Sequence, residues 1–213
     1  ALTDKHVGDL RSDMTEIDPF TFFANFNMPT KDENRKGIIR FLKERWHLNA
    51  DVPNDFNGIP TITPIKAWFV AYKKDRKSED TPLLWTIFKQ ALDNDLKEDT
   101  FNDSLKIKGV QYNLTMGLFW VAPEHFLNLD GVNRRYLLDK HVPLKKPLNY
   151  ENYHACIKEA TNKFGKKFYE ISYDAWQQEQ TNGNDKKTQG HKYWLFSAGQ
   201  RGKLWEEFYD NGF

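Results

Sequence analysis

Three pairs of neighbouring basic residues lie between residues 131 and 180 of this 213-residue chain. Guanidinium and ammonium groups bind phosphate oxygens, and such contacts position a protein on a nucleic acid without reading its bases. The pattern therefore predicts a DNA-contacting surface, with a solvated basic face as the alternative interpretation. The predicted contact residues are Arg134, Arg135, Lys145, Lys146, Lys166 and Lys167.

The charge distribution supports this prediction more than the net charge of +1 does. Residues 1–130 carry 17 Lys/Arg and 20 Asp/Glu, whereas residues 131–203 carry 14 Lys/Arg and 7 Asp/Glu. A basic half following an acidic half is typical of proteins that attract polyanions.

Other chemistry finds little support in the sequence. Gly199 to Leu204 resembles a phosphate loop, but the spacing between its glycines is too short, and Leu204 stands where Ser or Thr should bind metal. The six histidines form no helical i, i+4 pair, and Cys156 lies one residue before Ile157 on the helix predicted over 150–164, where inert packing is expected. Asp185-Lys-Lys187 lies in a polar segment with no strand to carry a nuclease site. We expect no catalytic residue, no metal site and no cofactor.

A helix–loop–helix corner at residues 117–138 must position the first arginine pair. Pro123 removes a backbone donor and disfavours helical geometry at Ala122, so one helix should end there. Asp130 can accept from the amides of the following turn, so the helix that carries the arginines should begin there.

Capping and periodicity predict the other helices. Asp18 and Pro19 should begin a short aromatic helix. Thr30 to Glu33 reads as a capping box that opens a helix to about Trp46. Four apolar residues of that helix have the spacing of a core stripe, Ile38, Ile39, Leu42 and Trp46. A long helix is predicted over 150–164, and Ser172 should cap a short helix through Trp176.

These signals predict a mainly α fold, α+β only by count of a few short strands, over residues 1–180. Residues 181–191 have no large apolar side chain and are predicted to be a linker. Residues 192–213 should form one strand and one helix that open an incomplete second domain. The chain therefore reads as part of a longer protein. A single cysteine and no apolar run of membrane-spanning length favour a cytoplasmic protein.

Several stretches resemble, in the same order, the N-terminal region of McrB-type restriction NTPases, the AAA+ motor subunits of modification-dependent restriction systems. These are Ile17-Asp-Pro-Phe-Thr-Phe-Phe, Asn34-Arg35, Pro53 to Pro60, Trp68-Phe69, Leu84-Trp85, Asn113 to Trp120, Leu129-Asp130 and Asn133-Arg134. Residues 193–199, with Leu204, Trp205 and Phe208, separately resemble the start of an EVE/YTH-like domain, which binds modified bases. That resemblance adds Ser197 and Trp194 to the expected nucleic-acid-binding residues.

The resemblance implies a non-catalytic DNA-recognition or targeting region of such an NTPase, active in phage defence. The expected partners are DNA, methylated or unmethylated, and the nuclease subunit of the restriction system, with no membrane. The full-length parent would be an oligomeric GTPase or ATPase. The alternative is a protein-interaction or assembly module of a phage-defence complex without direct DNA contact, which predicts a large exposed apolar patch.

Overall fold

The computed structural model describes residues 16–70 and 75–188, with side chains up to residue 182. Within these ranges the chain forms eight α-helices and no β-strand, which confirms the mainly α class. They are α1 Pro19–Ala24, α2 Asp32–Trp46, α3 Asp80–Leu92, α4 Glu98–Ser104, α5 Asn113–Val121, α6 Gly131–Asp139, α7 Tyr150–Phe164 and α8 Phe168–Thr188, with a 3-10 turn at Pro64–Lys66.

The chain divides into two compact units, Ala1–Glu179 and Gln180–Phe213. In the first unit, α1, α3 and α5 pack against one another, and α4 packs against both α3 and α7. Phe20 of α1 is fully buried, and a Cβ at Gly117 of α5 would lie only 2.5 Å from its ring. Gly117 therefore allows α1 to approach the α5 backbone closely.

The corner between α5 and α6 forms as the sequence predicts. α5 ends at Val121, two residues before Pro123, and α6 begins immediately after Asp130. The Asp130 carboxylate accepts a 2.8 Å hydrogen bond from the Asn133 amide. The cap at Asp18 is also confirmed, because its carboxylate accepts a 2.8 Å bond from the Thr21 amide.

The capping box predicted at the start of α2 is wrong. The N-cap of α2 is Lys31, which makes no side-chain capping bond. The Thr30 hydroxyl instead accepts a 2.9 Å bond from the Asn34 side chain. The helix begins one residue later than the box requires, and Asp32 and Glu33 both fall in its first turn, where carboxylates suit the helix dipole.

The predicted core stripe of α2 is also wrong, because tertiary packing leaves it near the surface. Ile38 is 38% exposed and Trp46 is 53% exposed, while Ile39 and Leu42 are half-buried. Arg35 is the buried residue of this helix.

The last helix is longer than predicted. Ser172 lies inside α8 rather than at a helix start, and its hydroxyl donates a 2.7 Å bond to the Gly58 carbonyl. α8 continues to Thr188, so residues 181–188 of the predicted linker are helical. The predicted strand at 192–197 and the helix after it lie outside the described residues, and the predicted second domain stays a prediction.

Candidate nucleic-acid interface

A buried loop fixes where α6 begins. In residues 126–130, the Leu129 amide donates a 3.0 Å bond to the Thr115 hydroxyl of α5. The Leu127 carbonyl accepts a 2.8 Å bond from the hydroxyl of Tyr153, a fully buried residue of α7. Because the loop is tied to two core helices, the first turns of α6 and the arginines they carry have a defined position.

Arg134 is held in place on this helix without a carboxylate partner among the described residues. Its guanidinium carbon lies 4.4 Å from the centroid of the Tyr112 ring, a cation–π contact. Its Nε donates a 3.3 Å bond to the Asp130 carbonyl. The side chain is half-buried, so its charge is oriented but not neutralised.

Arg134 lines a groove of about 570 Å³. Among the described residues, the charged side chains that line it are Lys66, Asp130, Arg134 and Arg135. Three cations outnumber the single carboxylate, Asp130, whose Oδ1 accepts bonds from both the amide and the side chain of Asn133. The groove therefore presents a net positive surface on which an anion can make charge-assisted contacts.

A second, mostly apolar cavity of about 680 Å³ has wall residues in common with the groove. Gln111 and Tyr112 line both spaces. The other described lining residues of the apolar cavity are Leu105, Lys146, Pro147 and Leu148. A ligand that carries phosphates and flat apolar groups matches this combination, since phosphates suit the groove and bases suit aromatic and apolar walls.

Three of the other predicted contact residues form ion pairs with carboxylates of the same chain. Arg135 forms an ion pair with Glu179 at 2.8 Å. Lys166 pairs with Asp174 at 2.6 Å, and the hydrogen bond that the ammonium donates to this carboxylate raises the lysine pKa. Lys167 lies 3.5 Å from a Glu124 oxygen. These pairs are exposed and weak, so they lower the positive potential without removing it.

The remaining predictions separate into three cases. Lys146 lines the apolar cavity. Lys145 is exposed and makes no ion pair with another described residue. Trp194 and Ser197 lie outside the described residues.

Sequence reasoning missed two residues that line the groove beside Arg134, namely Lys66 and Tyr112. Lys66 is a lone basic residue in the acidic half of the chain, and Tyr112 precedes α5 without any motif. Both are brought to Arg134 by tertiary packing, so no local signal marks them.

Another cavity, of about 460 Å³, contains two histidines, His125 and His154. The Nε2 atom of His154 is buried without a hydrogen-bond partner. Burial lowers the pKa of His154, which keeps the imidazole neutral near neutral pH. No group of three or more His, Cys, Asp or Glu side chains in the described residues is arranged to hold a metal ion.

Cys156 is expected to be unreactive in the folded protein. The thiol is buried, and burial raises its pKa to about 11, so very little reactive thiolate exists near neutral pH. Reaction with a chromogenic disulfide reagent at about pH 8 should be at least ~100-fold slower in native protein than in denaturant. Equal rates in the two conditions would contradict the buried placement of this residue.

These observations define a mainly helical domain with a basic groove beside an apolar cavity. The model of DUF8425, a domain of unknown function, matches residues 2–178, and the chain belongs to this family. No curated protein matches the chain. No solved structure matches it either.

No helix in the described part of the chain combines the length and the apolar character needed to cross a bilayer.

Proposed function

We propose that this domain binds DNA through the groove around Arg134 and acts as the targeting region of a modification-dependent restriction NTPase. The observation that carries the proposal is the guanidinium of Arg134, stacked 4.4 Å from the Tyr112 ring. It has no described carboxylate partner, and it lines a groove whose other described cations are Lys66 and Arg135. A planar cation held in this way is suited to phosphate recognition.

The wider role rests on the resemblance to McrB-type proteins. Under this proposal the domain is non-catalytic, and nucleotide hydrolysis belongs to a motor elsewhere in an oligomeric, cytoplasmic parent that works with a nuclease subunit. Phosphate contacts carry no base information, so the domain should bind methylated and unmethylated duplexes equally. Reading of a modified base would then require the EVE/YTH-like segment.

Fluorescence anisotropy with a labelled duplex tests the DNA contact. If Arg134, Lys66 and Lys146 each contact one phosphate, counterion release predicts an affinity loss of about 40-fold between ~50 and ~200 mM salt. Arg134→Ala should weaken binding about tenfold at the lower salt concentration and reduce the magnitude of the salt slope by about one.

Lys166→Ala is the matched control, since it removes one positive charge that is already paired with Asp174. Its affinity should stay within about twofold of the wild type. Absence of binding by the wild-type protein at low salt would remove the DNA claim. Equal losses in the two variants would place the contact surface elsewhere.

A second candidate function, protein interaction or assembly, is favoured by a different observation. Near α2, large apolar side chains are exposed, including Phe41 at 63%, Trp46 at 53% and Leu48 at 47%. Phe41 lies on the outer face of α2, where an exposed apolar side chain can contribute to a protein-binding surface. This function predicts indifference to DNA together with stable capture of a purified nuclease subunit, and that combination would favour it over DNA binding.

A further inference from the structure

The outer face of α2 carries a stripe of four residues at i, i+4 spacing. These residues, called the α2 stripe below, are Glu33, Gly37, Phe41 and Arg45. Residues four apart lie on one face of a helix, one turn above another. All four are exposed, and Phe41 is 63% exposed.

The protein's own packing does not account for this stripe. α2 is anchored from its other side, where Arg35 is buried and the Trp46 ring lies 5.9 Å from the Phe22 ring. A glycine inside a helix costs about 1 kcal/mol relative to alanine. Yet a Cβ at Gly37 would meet no described atom within 4 Å outside its own helix.

The positions in the stripe are symmetric about residue 39. Gly37 and Phe41 lie two residues on either side of it, and Glu33 and Arg45 lie six residues on either side. If a second copy of α2 runs antiparallel to the first, each residue of the stripe therefore faces a complementary residue. The Phe41 ring faces Gly37, which has no side chain, and the Glu33 carboxylate faces the Arg45 guanidinium.

We propose that two copies of this chain pair through the α2 stripe in an antiparallel, two-fold symmetric dimer. Phe41 of each copy packs over Gly37 of the other, where the missing side chain lets the two helices approach closely. Glu33 of each copy then faces Arg45 of the other, about 9 Å along the helix axis from the crossing point.

The charges of α2 favour a second copy over an unrelated partner. The first turn carries the carboxylates Asp32 and Glu33, and the last turn carries the cations Lys43 and Arg45 with one carboxylate, Glu44, between them. An antiparallel pair places each acidic end against a basic end. Glu33 also contacts Lys36 at 3.1 Å and Arg40 at 3.7 Å, but its side chain is 70% exposed and available to a further cation. Arg45 has no ion pair with another described residue.

The expected affinity is modest. One helix of 15 residues buries less than the ~800 Å² per partner of a standard interface. We therefore expect a dissociation constant on the order of 10 μM, within reach of sedimentation equilibrium. The inference does not depend on the proposed function, because the α2 stripe contains no residue that lines the basic groove.

Charge reversal provides the test. Glu33→Arg alone should place two like-charged pairs across the interface and weaken dimerisation at least ~tenfold, and Arg45→Glu alone should do the same. When the two variants are mixed, every cross-interface pair becomes opposite in charge. The mixture should therefore form a heterodimer at close to wild-type affinity, while each variant alone dimerises at least ~tenfold more weakly.

Lys89→Glu, an exposed charge reversal on α3, serves as the control and should leave the dissociation constant unchanged. Circular dichroism verifies that each variant is folded, and Phe41→Ala should also weaken the dimer at least ~tenfold. A wild-type protein that stays monomeric at ~500 μM, well above the expected constant, would overturn the proposal. A mixture that associates no better than its components would overturn the antiparallel register.

Discussion

Replacing Gly58 with alanine should lower the free energy of unfolding by about 2–5 kcal/mol. Gly58 has a φ of +76°, a left-handed conformation that costs residues with a Cβ about 1–2 kcal/mol. The new Cβ would also lie 2.7 Å from the Tyr173 Cα, a backbone atom within α8. Overpacking of this kind costs a further ~1–3 kcal/mol, because a helix backbone cannot shift alone.

Gly165→Ala is a matched control for that measurement. Gly165 has a φ of +58°, but its Cβ would meet no described atom within 4 Å. Gly165→Ala should therefore lower the free energy of unfolding only by the conformational cost of about 1–2 kcal/mol. Urea denaturation of both variants therefore separates the contact of Gly58 with α8 from its backbone conformation. Equal losses of unfolding free energy in the two variants would show that the α8 backbone does not clash with a Cβ at position 58.

Replacing Arg35 with alanine should cost about 3 kcal/mol. Its side chain is 3% exposed, and its Nε donates a 2.8 Å bond to the Phe26 carbonyl. A second nitrogen donates a 2.6 Å bond to the Asn27 side-chain oxygen, and the guanidinium lies 3.7 Å from the centre of the Phe56 ring. Hydrogen bonds from a charged donor contribute about 1.5–3 kcal/mol, and their removal leaves acceptors buried and unpaired.

Arg40→Ala, on the same helix, is the comparison. The side chain of Arg40 is 54% exposed, and it pairs loosely with Glu33 at 3.7 Å. Its loss should change the free energy of unfolding by no more than about 0.5 kcal/mol. Similar losses in the two variants, measured by urea denaturation, would contradict the anchoring role of Arg35. Because Arg35 ties α2 to the first unit, Arg35→Ala should also weaken any pairing through the α2 stripe.

Several helix boundaries marked by neighbouring residues were predictable from the sequence, whereas the capping box predicted at Thr30 was wrong. Pro123 and Asp130 predicted the end of α5 and the start of α6, and Asp18 predicted the start of α1. A proline lacks a backbone donor wherever the chain places it, and a capping carboxylate reaches only the next few amides. The helix boundaries that these residues mark can therefore be predicted without knowledge of the fold.

Features that depend on distant contacts were not predictable. The spacing of Ile38 and Trp46 is that of a core face, yet no neighbouring element of the described residues covers them fully. Ser172 has the chemistry of a helix cap, but its hydroxyl bonds to Gly58, 114 residues earlier.

The candidate site shows the same division. Sequence alone identified Arg134 and Arg135 as adjacent cations on one helix, together with the corner that carries them. Tertiary structure decided that Arg134 stacks on Tyr112 beside Lys66, and that Arg135 pairs with Glu179, 44 residues later. Charge is a property of each residue, whereas compensation of that charge depends on which residues the packed helices bring within a few ångströms.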